Sequence, residues 1–420
     1  MRLNRKPTLL VVYDNGSLGP VRLAQAAEAN DCNLVFIVAE SAHTQEMLPI
    51  LEEFAPVIRI DGNSEVDPIR ALGRHNPTAI VTFSEYQIER TVYLAEELDL
   101  PYLSAGDLQG IIRKDAQRKR FTDAGIDSIR FRTITKSTQV EEAIAHVGLP
   151  AIIKPISGVS SRNTIKVSTL AECRSATADI LGETPSHAGP TESGVIIEEL
   201  LIGRATDWPW GDFIGVNCVA SGDHVEPVVI TSRLALAEPF RERGSYSGQP
   251  MLSESEVHEV QELACRAVTA LNIRQGIAEV EVKLTESGPR IIEVNGRPGG
   301  WADDLGLRSN CADLADIAVK NALGWKYQVP TPDPHGPIAF RYEIIPPMTA
   351  NRVRAIRDTS RLRKVSHVDR VSIHARQGDS VDWRLGGMSS VASLFGTTEN
   401  HEQLADTVAE IEKLDCLEYE

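Results

Sequence analysis

Along the first hundred residues, short unbroken apolar runs alternate with longer stretches whose apolar positions recur at helical spacing. Thr8–Tyr13 (TLLVVY) is continuously apolar, as a strand covered on both faces must be. Further strand signals fall at 34–38, 57–60 and 79–83. Helical patterns cover 21–30 and 86–98, the latter with Ile88, Val92, Ala95 and Leu98 on one side. Strands separated by helices of this length predict a parallel α/β sheet. The turn 14–20 (DNGSLGP) follows the first strand. It lacks the GxGxxG spacing of a dinucleotide site, and a substrate-facing role is the better reading, because ligands gather at the carboxyl ends of such strands.

Beyond residue 110 the pattern changes. A basic helix is expected over 111–124, stopped by Gly125. Strand signals at 129–133 and 151–154 flank a helix near 138–146, and 182–194 reads as a loop. Residues 195–300 are mostly strand-like, broken by a helix at about 254–271. The segment 330–337 (PTPDPHGP) is the clearest linker. After it come strand signals at 338–344 and 368–375 and a last helix near 399–413.

The most informative stretch is 276–300, GIAEVEVKLTESGPRIIEVNGRPGG. Folded as an antiparallel hairpin about Ser287, it sets Glu281 opposite Glu293 and Glu279 opposite Asn295. Strand periodicity then places Glu293 and Asn295 on one face, with Val280, Val282, Ile292 and Val294 on the other. Two carboxylates so opposed lie about 5 Å apart and repel. A divalent cation relieves that repulsion, and carboxylate and amide oxygens are the hard donors Mg2+ prefers. Arg297 continues the row with a group suited to phosphate or carboxylate. A solvent-exposed face carrying scattered charges is the competing reading; Gly299 and Gly300 favour a ligand, since they permit close backbone approach.

Two other segments carry candidate chemistry. In 150–166 (PAIIKPISGVSSRNTIK) a strand ends at Lys154 and a small-residue loop follows, which suits a polyphosphate; a plain hairpin gives the same pattern, and no Walker motif is present. In 195–201 (VIIEELL) an apolar strand broken by Glu198 and Glu199 can offer main-chain hydrogen bonds to a purine edge. Arg233, Arg243, Tyr246 and Trp301 are candidate substrate contacts, each equally readable as a packing or strand-end residue.

Composition narrows the class. The chain has 420 residues, 42% of them hydrophobic and 24% charged, with a net charge of −16. That balance argues against general nucleic-acid binding and against docking on anionic lipid. Its apolar runs fall short of a membrane span, and the basic N-terminus lacks the long apolar core and cleavage site of a signal peptide. Six scattered cysteines without a CxxC indicate reduced thiols and a cytoplasmic location.

Read in order, these segments resemble the ATP-grasp superfamily, and within it the carboxylate–amine ligases shaped like the L-amino-acid ligases and biotin carboxylase. The strongest likeness is the 276–300 stretch, where two acids twelve apart are followed by Asn and Arg at +2 and +4: Glu281, Glu293, Asn295 and Arg297. The resemblance implies an α/β and α+β architecture. A parallel α/β domain over 1–108 precedes an ATP-grasp domain over 109–330, whose mobile lid covers about 125–200. An α+β subdomain over 338–420 closes the site.

The resemblance also implies ATP as nucleotide, with Mg2+ or Mn2+ held by Glu281, Glu293 and Asn295. Lys114 and Lys154 bind phosphates, and Gly158, Ser160 and Ser161 lie in the covering loop. Glu198, Glu199 and Leu201 form the adenine hinge. A ribose-binding acid common in the family is missing near Ala205, where Asp207 is the substitute. Arg297 and Lys154 are the expected catalytic residues; Arg233, Arg297, Gly299, Gly300 and Trp301 are the expected substrate contacts. The implied reaction joins a small carboxylate, such as an amino acid, to an amine through an acyl phosphate, in an enzyme that is a monomer or homodimer. A carboxylase of the biotin or purine type and a non-catalytic nucleotide-binding regulator are the alternatives.

Overall fold

The computed structural model describes residues 6–60, 67–184 and 191–420. The core of the loop expected at 182–194 therefore lies outside the described residues.

The apolar runs near the N-terminus form a four-stranded parallel sheet in the order Val57–Arg59, Asn33–Val38, Thr8–Tyr13, Ala79–Thr82. Every residue of Thr8–Tyr13 is buried, which is why its sequence does not alternate. Helix Ile88–Glu97 follows the last strand.

The dominant element is an eight-stranded antiparallel sheet. Its order is Gly288–Asn295, Gln275–Thr285, Trp210–Ser221, His224–Leu234, Gly244–Ser247, Ile338–Ile344, Ala392–Thr398, Val368–Ile373. Helix Glu254–Ala270 packs its Val260, Ala264, Ala267 and Val268 against the Val216, Val280 and Ile291 side of this sheet. Three of the five strands drawn from 338–420 join the same sheet, and the other two, Val353–Ile356 and Leu417–Tyr419, pair with each other. A smaller antiparallel sheet, Phe131–Ile134, Val195–Glu199, Ala151–Pro155, Ile165–Val167, is backed by helices Val140–Val147 and Leu170–Ile180. Among the described residues, no helix is long and apolar enough to cross a membrane. All six cysteines are free thiols.

Two local expectations are corrected. The basic helix expected over 111–124 is two helices, Leu108–Ile112 and Lys114–Asp123, broken where Arg113 turns extended (φ −111°, ψ 123°). The break starts the second helix at Lys114, whose N–H donates to the Ile156 carbonyl at 2.9 Å. The second correction concerns the hairpin. Its turn is one residue shorter than a fold about Ser287 requires, with Thr285 opposite Gly288, and a bulge between Glu281 and Val282 restores the register. The bulge turns Ile292 toward the cavity and Ile291 into the core, reversing the side assigned to Ile292. The helices Leu170–Ile180, Ala302–Arg308 and Leu314–Ala322 have no counterpart in the pattern reading.

Candidate active site

The strand Gly288–Asn295 is an edge of the large sheet, so one side of its backbone lacks a strand partner. Helix Lys114–Asp123 supplies those partners with side chains. Gln117 accepts from the Val294 N–H at 2.9 Å and donates to the Val294 carbonyl at 2.7 Å. Arg118 donates to the Ile291 and Ile292 carbonyls at 2.8 and 2.5 Å, holding the bulge open. Lys114 lies three and four residues before these two, on the same helical face. The edge-capping helix thereby sets Lys114 Nζ 3.1 Å from Glu293 Oε2. The same nitrogen donates to the Gly158 carbonyl at 3.1 Å, tying the hairpin to the small-residue loop.

Glu281 and Glu293 do face each other across the hairpin, and Glu279 faces Asn295. Their electrostatic surroundings differ. Burial disfavours ionised Glu293, but Lys114 and Lys154 hold its pKa below the usual carboxylate value. Burial, Glu293 and Glu279 together push Glu281 up to about 8. Among the described residues Glu281 has no ion-pair partner and no three His, Cys, Asp or Glu side chains cluster as a metal site. The available donors are the two carboxylates and the Asn295 amide, whose buried nitrogen has no hydrogen-bond partner. This oxygen-rich set, with one excess negative charge, fits a hard divalent cation such as Mg2+.

Glu279 is handled differently. Its carboxylate accepts from Arg233 at 2.8 Å and Arg297 at 3.2 Å. A Cβ at Gly215 or Gly299 would collide with it. The close approach at Gly299 thus makes room for Glu279 rather than for a ligand, correcting the expectation; Gly300 does line the cavity. Arg233 is buried in the cavity wall, fixed also by Thr231 at 2.6 and 2.9 Å. Arg297 reaches a second acid, Glu85 at 3.6 Å, which opens the short 3-10 helix Glu85–Gln87 after the last parallel strand.

Lys154 and Glu198, expected at the phosphates and at the hinge, form another buried cluster. Glu198 accepts from Arg118 at 2.8 Å and pairs with Lys154 at 2.9 Å. Burial opposes its charge, but those cations hold its pKa down to about 2. For Lys154, burial is the main cause of a lowered pKa. Glu199 turns its carboxylate to Arg130 at 2.7 Å, leaving its backbone with Leu200 and Leu201 at the cavity.

All of this surrounds one cavity of about 540 Å³, within the range of small-molecule sites. Lys154, Ser160, Ser161, Glu281 and Glu293 line it, as do Asn15, Gly16 and Ser17 from the first parallel turn. Lys114, Gly158, Asn295 and Gly299 adjoin these residues without themselves lining the cavity. Trp301 lines it with a left-handed backbone (φ 64°), its ring 4.8 Å from that of Phe395. Asp207 does not line it: that residue is on the exposed loop before Trp210–Ser221, too far along the chain to follow the hinge inward. Arg243 turns to Glu412 at 2.8 Å and over the Trp208 ring, and Tyr246 is buried against Trp210 and His401. Both are packing residues.

The segment beyond 338 was expected to close the site, but none of its lining residues was named. Arg341, Glu343, His374 and Ser393 line the cavity, together with Glu242 and Glu85. A signal was present in IAFRYEI, where Arg341 and Glu343 share one face of an apolar strand, as Glu279 and Glu281 do.

Residues 147–304 match the family model described as ATP-grasp domain. A D-alanine–D-alanine ligase of Rhodococcus erythropolis is 28% identical over 258 residues, covering 55% of this chain and 66% of that protein. An alanine–anticapsin ligase of Bacillus subtilis is 24% identical over 275 residues, covering 62% of this chain and 54% of that protein. The match therefore spans between half and two thirds of these curated relatives. The solved L-amino acid ligase from Bacillus licheniformis shares the fold, with a TM-score of 0.74 at 18% identity over 99% of this chain and 100% of that one. The chain therefore carries an ATP-grasp domain, residues 147–304, set in a fold that it shares from end to end with that ligase.

Proposed function

We propose that the protein is an ATP-dependent, ADP-forming ligase that joins the carboxylate of an amino acid to an amine through an acyl phosphate. The observation that carries this reading is the single cavity in which Lys154, the hinge backbone and the Glu281–Glu293 pair meet residues of the first parallel turn and of the 338–420 wall. A nucleotide fits along the hinge, with its phosphates toward Lys154, Ser160 and Ser161. Arg297 and Trp301 line the same cavity and are assigned to the other reactants.

Glu281, Glu293 and the Asn295 amide are the residues that would hold Mg2+, whose charge offsets that of the phosphate oxygens during transfer. Lys154 and Lys114 add positive charge at the same end, and in the structure both are held by acids, Glu198 and Glu293. Arg297, fixed by Glu279 and Glu85, orients the carboxylate substrate. The carboxylate oxygen attacks the terminal phosphorus, the bond to ADP breaks, and an acyl phosphate forms. The amine then attacks the acyl carbon, phosphate leaves and a proton is released. The loop carrying Ser160 and Ser161 covers the cavity, which protects an acyl phosphate from water. A soluble cytoplasmic enzyme, monomeric or dimeric, belongs to the same proposal.

The test is a screen for ADP and phosphate release over the proteinogenic amino acids, singly and in pairs, with bicarbonate as a separate arm. The ligase reading expects release that depends on an amino acid, in step with amide product. Release with bicarbonate in place of an amino acid would favour a carboxylase. ATP binding without release under any condition would favour a regulatory protein.

A further inference from the structure

The 338–420 wall holds a buried acid that the proposed steps do not use. Glu343 sits on the central strand Ile338–Ile344 and is 2% exposed. Its Oε1 is fully engaged: it pairs with Arg341 and accepts from Ser393 Oγ at 2.6 Å, the residue opposite it in the neighbouring strand. Ser393 Oγ in turn lies 2.7 Å from His374 Nε2, and His374 is exposed at the cavity rim. Glu343 Oε2, by contrast, is buried without a hydrogen-bond partner, although the side chain lines the cavity. A buried, unpaired carboxylate oxygen is costly unless something fills its lone pairs. The neighbouring cations are already committed: Arg341 to Glu343 Oε1 and Glu242, and Arg233 to Glu279 and Glu242. What that oxygen lacks is a hydrogen-bond donor, and the open side of the side chain is the cavity.

We propose that Glu343 is the seat of the amine substrate, binding it as an ammonium ion and taking the proton that must leave before the nitrogen can attack. This assignment rests on the ligase reading and names the residue that reading lacks. The ammonium N–H donates to Oε2 and its proton passes to that oxygen. The freed lone pair forms the C–N bond as the acyl C–O bond breaks and phosphate departs. The proton on Oε2 is released to solvent through the cavity once the amide product has left, while Ser393, donating to Oε1, and His374 behind it hold the carboxylate in place. Glu343 is thus the catalytic residue of the second step, and Ser393 and His374 are positioning residues for it. The site selects amines that are protonated at neutral pH.

The test separates the second step from the first. Hydroxylamine is uncharged at neutral pH and traps acyl phosphates as hydroxamates, so it needs neither an ammonium seat nor a base. Glu343→Gln keeps the shape and can still accept from Ser393. Amide formation with an amino-acid amine is expected to fall about 100-fold more than hydroxamate formation with the same carboxylate, the scale of a lost general base. The apparent KM for the amine should rise, and Glu343→Asp should recover part of the loss. Hydroxamate formation also reports that the variant is folded. Equal losses in both assays, or no loss in either, would overturn the assignment. If the unaltered protein makes neither hydroxamate nor amide, the ligase reading itself fails and takes this assignment with it.

Discussion

Glu279 and Glu281 stand two residues apart on one strand and point to the same face, yet their surroundings are opposite. Glu279 is gripped by two arginines, Arg233 and Arg297, in a pocket floored by Gly215 and Gly299. Glu281 faces another carboxylate and has no ion-pair partner among the described residues. The difference separates two uses of buried charge. A neutralised carboxylate holds neighbouring side chains in place, whereas an uncompensated one requires a cation that the protein does not itself provide.

That contrast can be broken at three points. The largest effect is expected at the partner of the uncompensated acid: Glu293→Gln should lower Mg-dependent ADP release on the order of 10³-fold, with circular dichroism unchanged. Normal turnover would remove the pair from the metal site. Next is Glu279→Gln, which leaves two buried guanidinium groups without their shared counter-ion. Urea unfolding should register a loss of about 3 kcal/mol; a stability like that of the unaltered protein would mean the arginines find other partners.

The smallest effect, and the sharpest discriminator, is Glu281→Gln. Glu281 has a raised pKa in the folded state, so its stabilising share is full below the ordinary carboxylate value and is lost as pH rises through about 8. In chelator, the glutamine variant should therefore gain on the order of 1 kcal/mol at neutral pH relative to the unaltered protein, and the gain should grow toward alkaline pH. Added Mg2+ should raise the melting temperature of the unaltered protein and not that of the variant. A variant that is destabilised in chelator would show that Glu281 has a favourable partner after all.

The acid pairing was anticipated although the turn was not: the shorter turn shifts the register by one and the bulge at Ile292 shifts it back, so Glu281 still meets Glu293. The parallel strands were legible because burial on both faces leaves unbroken apolar runs such as Thr8–Tyr13. What escaped was set by long-range contact. The bulge at Ile292 depends on Arg118 reaching two carbonyls more than 170 residues away. The helix break at Arg113 depends on an acceptor at Ile156. Asp207 was named by sequence proximity to the hinge, but the chain carries it out to solvent before the next strand begins. The residues of the 338–420 wall could not be named because Glu343, Ser393 and His374 come together only through strand pairing between distant segments.

That strand pairing has an architectural consequence. The sheet that carries the Glu281–Glu293 hairpin runs without interruption into the strands contributed by 338–420. Cleaving the chain in the proline-rich stretch at 330–337 and removing residues 338–420 would leave the four-residue strand Gly244–Ser247, all of it buried in the intact molecule, as a bare sheet margin open to other chains. The C-terminal portion of the polypeptide is therefore not a detachable module: shortening the protein there would leave an unpaired edge prone to pairing with other chains.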